Sequence, residues 1–420
     1  MTRRTFFRWH SWIGLTAGLM LFVICWSGTM AVFSRDIDHL LDPGVAASPR
    51  PERIAWGTIY DNVQRAHPDL WVVQMVAHHS AGTVVESWAL DSKDITHRIY
   101  SDPATGEVIA TRSFMSVQRF FRSFHMALFA EVWPVLNTPI GSLIVALFSI
   151  PLLMMLVTSL LFYRRFWRGF LKLDWRKGRK VFWSDVHKLT GLWSLWFVAV
   201  ISVTGIWYLI ERQLPEQRIP EVALSEPSRL LPIDTLIARA EAAYPQLRVT
   251  SVLLSDYESG VVQLLGQDGT LLVRDQAARI WMDSATARPL HVRPASTLSA
   301  YERWIDTADP LHFGFWGGIW SKAVWLVFGL ALSGLCLTGA YLHVRRQQRQ
   351  AEQGMRMPVL AAYGVTIACI LLASWFGYRE IMSFGIGGRA PQVPLGATLF
   401  IAAWVLSTLA ALTLWMRAVR

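Results

Sequence analysis

Apolar residues in this chain gather in long runs, and six of them reach the roughly 20 residues needed to cross a hydrocarbon core of about 30 Å. They occupy residues 12–33, 140–163, 189–210, 319–343, 359–378 and 395–416. With their flanking turns they predict spans over 9–33, 140–163, 187–210, 319–343, 359–378 and 395–416. Between the first and second spans, and again between the third and fourth, the pattern changes. Segments 34–139 and 211–318 each open on a proline-rich lead and continue with a helix-like stretch, 56–66 or 233–243, closed by His67-Pro68 or Tyr244-Pro245. Alternating apolar runs follow, such as 71–77 and 249–254, as strands of a small antiparallel sheet require. The predicted fold is a mostly α membrane protein: six transmembrane helices and two small α+β modules.

The two halves match each other. His10 is followed by Gly14 and Ser27-Gly28, and His187 by Gly191 and Thr204-Gly205, with identical internal spacing. Arg98-Ile99-Tyr100-Ser101-Asp102 aligns with Arg279-Ile280-Trp281-Met282-Asp283, each a strand entering a tight turn opened by Asp. His125 precedes the second span as His312 precedes the fourth. Such offsets imply an internal duplication of span, module and span, with the fifth and sixth spans outside it.

Charge adds orientation. Arg3, Arg4 and Arg8 precede the first span, the 164–186 loop is rich in Arg and Lys, and Arg345, Arg346, Arg349 and Arg356 fall in or beside the 344–358 loop. By the positive-inside rule these groups, and both termini, are cytoplasmic, and the two modules face away. The net charge of +10 is thus a topology signal and not a nucleic-acid footprint. The first run is too long for a signal peptide and lacks a small-residue cleavage pattern, so it is expected to be retained. Cys25, Cys336 and Cys369 lie within spans and form no CxxC pair, which leaves no disulfide framework or zinc site to read. No GxGxxG follows a strand and there is no P-loop, so no nicotinamide, flavin or ATP site is visible.

Five histidines stand at span ends: His125 and His312 on the module side, His10, His187 and His343 on the basic side. Ionisable residues at such depth are functional candidates by default. On a helix, positions four apart lie on one face, so Gly14 and Gly191 sit below His10 and His187 and leave room for a flat, bulky group such as haem, or for close helix packing. Two neutral imidazoles on opposing helices suit a haem used for one-electron transfer. His125 with His312 makes an outer pair, and two of His10, His187 and His343 an inner one. His39, His67, His78, His79, His97 and His291 are expected to be surface or packing residues. Trp316 and Trp133 are candidates to shield an outer haem, and Arg119, Arg122, Phe120, Phe121 and Phe124 to line a docking surface.

The order of spans, the paired His-xxx-Gly helix starts and the strand-turn Asp102-Pro103-Ala104-Thr105-Gly106-Glu107 resemble the PepSY-associated transmembrane proteins, over roughly residues 8–346. The second turn departs from the pattern, with Ala287-Arg288 in place of Gly-Glu. Within that family the chain is most similar to inner-membrane ferric-siderophore reductases. The resemblance implies PepSY-like periplasmic modules and haem b, two groups in all, held between helices of the bacterial inner membrane. It further implies a ferric siderophore as acceptor, with membrane quinol or a cytoplasmic protein as electron donor. Two rival classes are a non-enzymatic membrane protein whose modules bind or inhibit a partner, which needs none of the histidines, and a permease, which needs polar residues or broken helices at midplane.

Overall fold

The computed structural model describes residues 2–42, 51–78, 84–131, 140–165, 167, 170, 173, 178–211, 230–254, 260–347, 356–385 and 390–419. His79, Trp133, most of the proline-rich leads and parts of the basic loops lie outside these residues. The first run forms two helices, α1 (Arg3–Thr16) and α2 (Gly18–Ala31), which meet at 65°. The third likewise forms α8 (Arg179–Trp193) and α9 (Leu195–Glu211), bent by 64°. The straight spans expected there are therefore broken. Among the described residues four helical stretches are long and apolar enough to cross a membrane, Ile140–Phe162, Gly318–Arg346, Met357–Ser383 and Leu395–Val419, and up to six if each bent pair counts as one span. Ala17 and Ser194 at the two breaks occupy matching positions relative to His10 and His187. Thr16 turns its hydroxyl back onto the Trp12 carbonyl at 3.0 Å, a bond that competes with the helix ladder beside Gly18.

Helices α6 (Ile140–Leu147) and α7 (Ser149–Phe162) make the second span, α12 (Gly318–Gln347) the fourth, and α13 (Arg356–Ser383) and α14 (Leu395–Val419) the last two. Short α3 (Ser34–Leu41) leaves the first span, and its Asp36 accepts from the buried Lys322 ammonium of α12 at 2.7 Å. Both polar segments then repeat one order of elements. In the first, α4 (Trp56–Ala66) leads to β1 (Trp71–Val76), β2 (Val85–Leu90), β3 (Thr96–Ser101), β4 (Val108–Ser113) and α5 (Val117–Ala127). In the second, α10 (Ile233–Ala243) leads to β5 (Arg248–Leu253), β6 (Val261–Gln267), β7 (Ala278–Asp283), β8 (Pro289–Arg293) and α11 (Ala300–Phe313).

The strands do not form two small sheets. They join in one antiparallel sheet of order β4-β3-β2-β1-β5-β6-β7-β8, closed at its centre where Met75 of β1 faces Val252 of β5. A single core unites the halves: Trp56, Ile59 and Val63 of α4 and Ile233, Leu236 and Ala240 of α10 bury against Val72, Met75, Val252, Val262 and Ile280. The apolar positions of each strand alternate onto this helix-covered face, as the period of two demands. Asp102 and Asp283 each accept from two backbone N–H groups of the turn they open. Ala287, where the expected glycine is missing, still takes a left-handed φ of +55°, so the second turn keeps its shape at a strain that glycine avoids.

Candidate functional site

Two cavities lie within the helical bundle, one toward each end. The larger, on the sheet side, has a volume of about 630 Å³ and is lined by α2, α5, α6, α7, α9, α11 and α12. Its size falls in the range of cofactor pockets, about 300–1,000 Å³. His125 and His312 enter it from α5 and α11 with ring centroids 6.2 Å apart and planes 37° apart. A metal–imidazole bond is about 2 Å long, so two rings on opposite sides of one ion have centroids about 6 Å apart.

The hydrogen bonds of these rings fix their tautomers. Nδ1 of His125 donates to the Ile24 carbonyl at 3.0 Å. Nδ1 of His312 lies 2.8 Å from the Thr204 hydroxyl, whose own proton goes to the Val200 carbonyl at 2.7 Å, so the hydroxyl oxygen accepts from the ring. Both histidines are therefore Nδ1–H tautomers, with the Nε2 lone pair left to face a ligand. Gly28 makes this possible for His125: a Cβ there would stand 2.6 Å from the ring carbon Cε1. The Trp325 indole donates to the His312 carbonyl at 2.9 Å, and Trp316 packs edge-on against Trp325. Gly314 ends α11 at φ +71° and presses against the Trp325 ring, a combination only glycine permits.

The smaller cavity, about 250 Å³, lies at the end of the bundle that carries Arg346, and His10, His187 and His343 all line it. Nδ1 of His10 donates to the Met155 carbonyl at 3.0 Å. Nδ1 of His187 lies 2.9 Å from the Thr338 hydroxyl, which gives its proton to the Gly334 carbonyl at 2.7 Å. The tautomer is again Nδ1–H for both rings. Gly14, Gly18, Gly191 and Gly339 line the same space. At Gly14 and Gly191 an added Cβ would reach ordinary contact at 3.8 Å, while at Gly339 it would meet the His187 ring at 3.1 Å. His343 is buried in this wall, and Phe162, which takes the matching place in the other half, packs on the His10 ring at 5.3 Å.

Among the described residues no three or more His, Cys, Asp or Glu side chains converge as a metal cage. A paired-histidine site suits a metal whose remaining positions are filled by a macrocycle. The residues of the outer site fit haem on that ground, on the ring spacing and on the freed Nε2 atoms, and those of the inner site on the freed Nε2 atoms of His10 and His187.

Other expectations are corrected. Phe120, Phe121 and Phe124 do not line a docking surface, because they are buried against Trp404 of α14 at 5.9, 5.1 and 5.3 Å between ring centroids. Arg119 is committed to Glu380 of α13 at 2.8 Å, which leaves Arg122 as the member of that group lining the outer cavity. His67 meets the Thr111 hydroxyl, His97 meets Asp91 and His291 packs on Trp281, as packing residues do. His78 and His39 line a crevice under the sheet with Arg35, Asp38, Glu86 and Arg98. Burial alone would raise the Glu86 carboxyl, but the adjoining Arg98 guanidinium and His78 hold it well below the usual range. All three cysteines are free.

Ser27, Thr158, Thr204 and Thr338, which position the rings, escaped the sequence reading as hydroxyl partners, although Ser27-Gly28 and Thr204-Gly205 mark two of them by their shared spacing. Tyr208, Asp309, Arg274 and Glu211 were missed altogether. The Tyr208 hydroxyl donates to Asp309 at 2.7 Å, and Arg274 reaches both Asp309 and Glu211 at 2.7 and 3.3 Å, at the rim of the outer cavity. These residues come from three separate stretches and carry no common pattern.

The bundle is thus a multi-pass membrane protein with histidines lining two internal cavities, His125 and His312 in the larger and His10, His187 and His343 in the smaller. Residues 7–346 match the PepSY-associated TM region, and the chain belongs to that family. It is similar to an uncharacterized protein of Pseudomonas aeruginosa, 23% identical over 308 residues, which cover 65% of this chain and 76% of that one. The family match stops before α13 and α14.

Proposed function

We propose that this protein is a haem b-dependent inner-membrane reductase that carries electrons across the bilayer to a ferric siderophore on the periplasmic side and so frees ferrous iron. The observation that carries this reading is the tautomer shared by His125, His312, His10 and His187: each spends its Nδ1 proton on a neighbouring helix and keeps Nε2 bare inside a cavity. His125 and His312 hold the outer group; His10 and His187 hold the inner one, with His343 in the wall beside them. Haem, when bound at these pairs, supplies iron that cycles between ferric and ferrous states one electron at a time.

The residues do the rest. Carbonyls of Ile24 and Met155 and hydroxyls of Thr204 and Thr338 aim the rings and raise their basicity. Trp325, Phe197 and Phe313 give the outer cavity an aromatic wall beside the pair. His10 and Ile24 are 14 residues apart along the bent first span, at most about 21 Å of helix, so the two sites divide the bilayer between them. The matching element orders and the equal spacing of His10 to Ala17 and His187 to Ser194 support a duplicated ancestor. The basic residues support a cytoplasmic inner site and periplasmic modules. The donor is membrane quinol or a cytoplasmic protein. Ferrous ion is held far less tightly than ferric by hard oxygen ligands, which makes reduction a route to release.

A visible spectrum of the detergent-purified protein tests the proposal. Two low-spin haems per chain, extractable by acidified acetone because no CxxCH site exists, are expected. A colourless protein that also fails to take up haem on reconstitution would overturn it. In proteoliposomes loaded with reductant, oriented modules-out and given a ferric siderophore outside, an external impermeant ferrous chelator should gain colour with wild type and not with His125→Ala.

A further inference from the structure

The tip joining β6 to β7 exposes two leucines close to α11, the helix packed beside α9. Leu271 is 80% exposed and Leu272 42%, although both sit in a soluble module. Their height follows from α11, which runs antiparallel beside α9. Trp207 of α9 meets Tyr301 and Trp304 of α11 at 6.1 and 5.9 Å, and Tyr208 reaches Asp309. Thr307 lies between these two rungs, and its hydroxyl donates to the Leu272 carbonyl at 2.8 Å, while the Arg303 guanidinium donates to the Leu271 carbonyl. Since α9 is apolar through Ile210, both leucine carbonyls are held level with the last turn of a membrane span. Leu272 adopts a left-handed φ of +54°, so the tip is bent into this position and not merely extended toward it.

The first module shows what the leucines replace. Its corresponding tip, Asp91-Ser92-Lys93-Asp94-Ile95, is polar, and the adjoining end of β4 rests on protein: the Ser113 hydroxyl donates to the Gln392 carbonyl at 2.8 Å, and Phe114 packs on Phe384 at 5.4 Å. Both partners lie in the α13–α14 connection. Helices α13 and α14 pack on α1, α2, α3, α5 and α12, the side of the first module.

We infer that Leu271 and Leu272 insert into the leaflet on the module side, so that the eight-stranded sheet rests on α13–α14 at one end and on lipid at the other. The ligand is the upper acyl region of the bilayer, and the anchor does not depend on any bound cofactor. Apolar side chains on a backbone clamped at the interface are buried by lipid there as belt residues are. Arg274, three residues past Leu271, ties the same tip to Asp309 and Glu211.

The test uses the full chain in phosphatidylcholine nanodiscs, with Cys25, Cys336 and Cys369 replaced by alanine and Leu271→Cys carrying an environment-sensitive fluorophore. Thr286→Cys, at the opposite end of β7 and about 20 Å away along the strand, is the reference. Lipids bearing a doxyl group high on the acyl chain are expected to quench position 271 at least threefold more than position 286, and aqueous iodide to show the reverse order. Equal lipid quenching at the two positions, or iodide quenching at 271 as strong as at 286, would overturn the anchor.

Discussion

His125, His312, His10 and His187 are each held through the Nδ1 proton, and the group that accepts it decides where Nε2 points. Replacing Thr204 with valine keeps the shape but removes the acceptor for His312. The expected result is a lower haem content at the outer site with the inner one unchanged, read by the low-spin signals of the purified variant. The glycine beside the outer pair acts in the same way. Gly28→Ala drives a methyl into the His125 ring and should empty the outer site while the inner one stays filled. His343→Ala should spare the inner haem, and its loss in that variant would reassign the inner pair. A pH dependence also belongs here. Burial first, then the Arg35 guanidinium, push the His78 imidazole from 6.5 down to about 4. The folded state therefore binds fewer protons than the unfolded state between those values. Its stability is full above pH 6.5 and falls as the pH drops toward 4, by about 1.4 kcal/mol per unit and about 3 kcal/mol in all. Thermal unfolding of His78→Gln should lack that slope. The five histidines were legible as candidates because depth and repetition single them out. Their acceptors were not, since a serine, a threonine or a carbonyl in an apolar run looks the same whether or not a ring faces it.

At the scale of elements, α5 carries His125 on one face and is gripped from the other by the two extra helices. Glu380 accepts from both Arg119 and Ser123, at 2.8 and 2.7 Å, and Trp404 closes over three phenylalanines. Glu380→Ala leaves a partly buried guanidinium without its carboxylate, at a cost of about 1–3 kcal/mol. A lower melting temperature and a weakened outer site are expected, with the inner site unaffected, as heat-scanned absorbance would record. Composition foretold the existence of α13 and α14, but nothing in their apolar runs told which helix they would brace. The breaks at Ala17 and Ser194 were hidden for a related reason. Hydropathy averages over a window and is blind to a change of direction inside it, although the local chemistry of Thr16 and Gly18 favours one.

On the scale of the whole molecule, the alternation of strands was readable, yet the joining of both modules into one sheet was not, because edges of similar polarity pair only when topology brings them together. The pairing of β1 with β5 is the seam. Met75→Pro removes a ladder donor in a central strand and cannot be confined to one half. Both modules should lose protection from protease together, and survival of the second module alone would show the halves to be independent. The seam also sets a schedule during synthesis. Strand β1 is finished about 170 residues before β5 leaves the ribosome, and at roughly 5–20 residues per second that is about 10–30 s of waiting. For this interval the nascent chain presents an unsatisfied strand edge, rich in valine, to its surroundings. A chain stalled or truncated in that window is a natural substrate for chaperones or quality-control proteases on the module side of the membrane, and its half-life there measures how exposed the seam is.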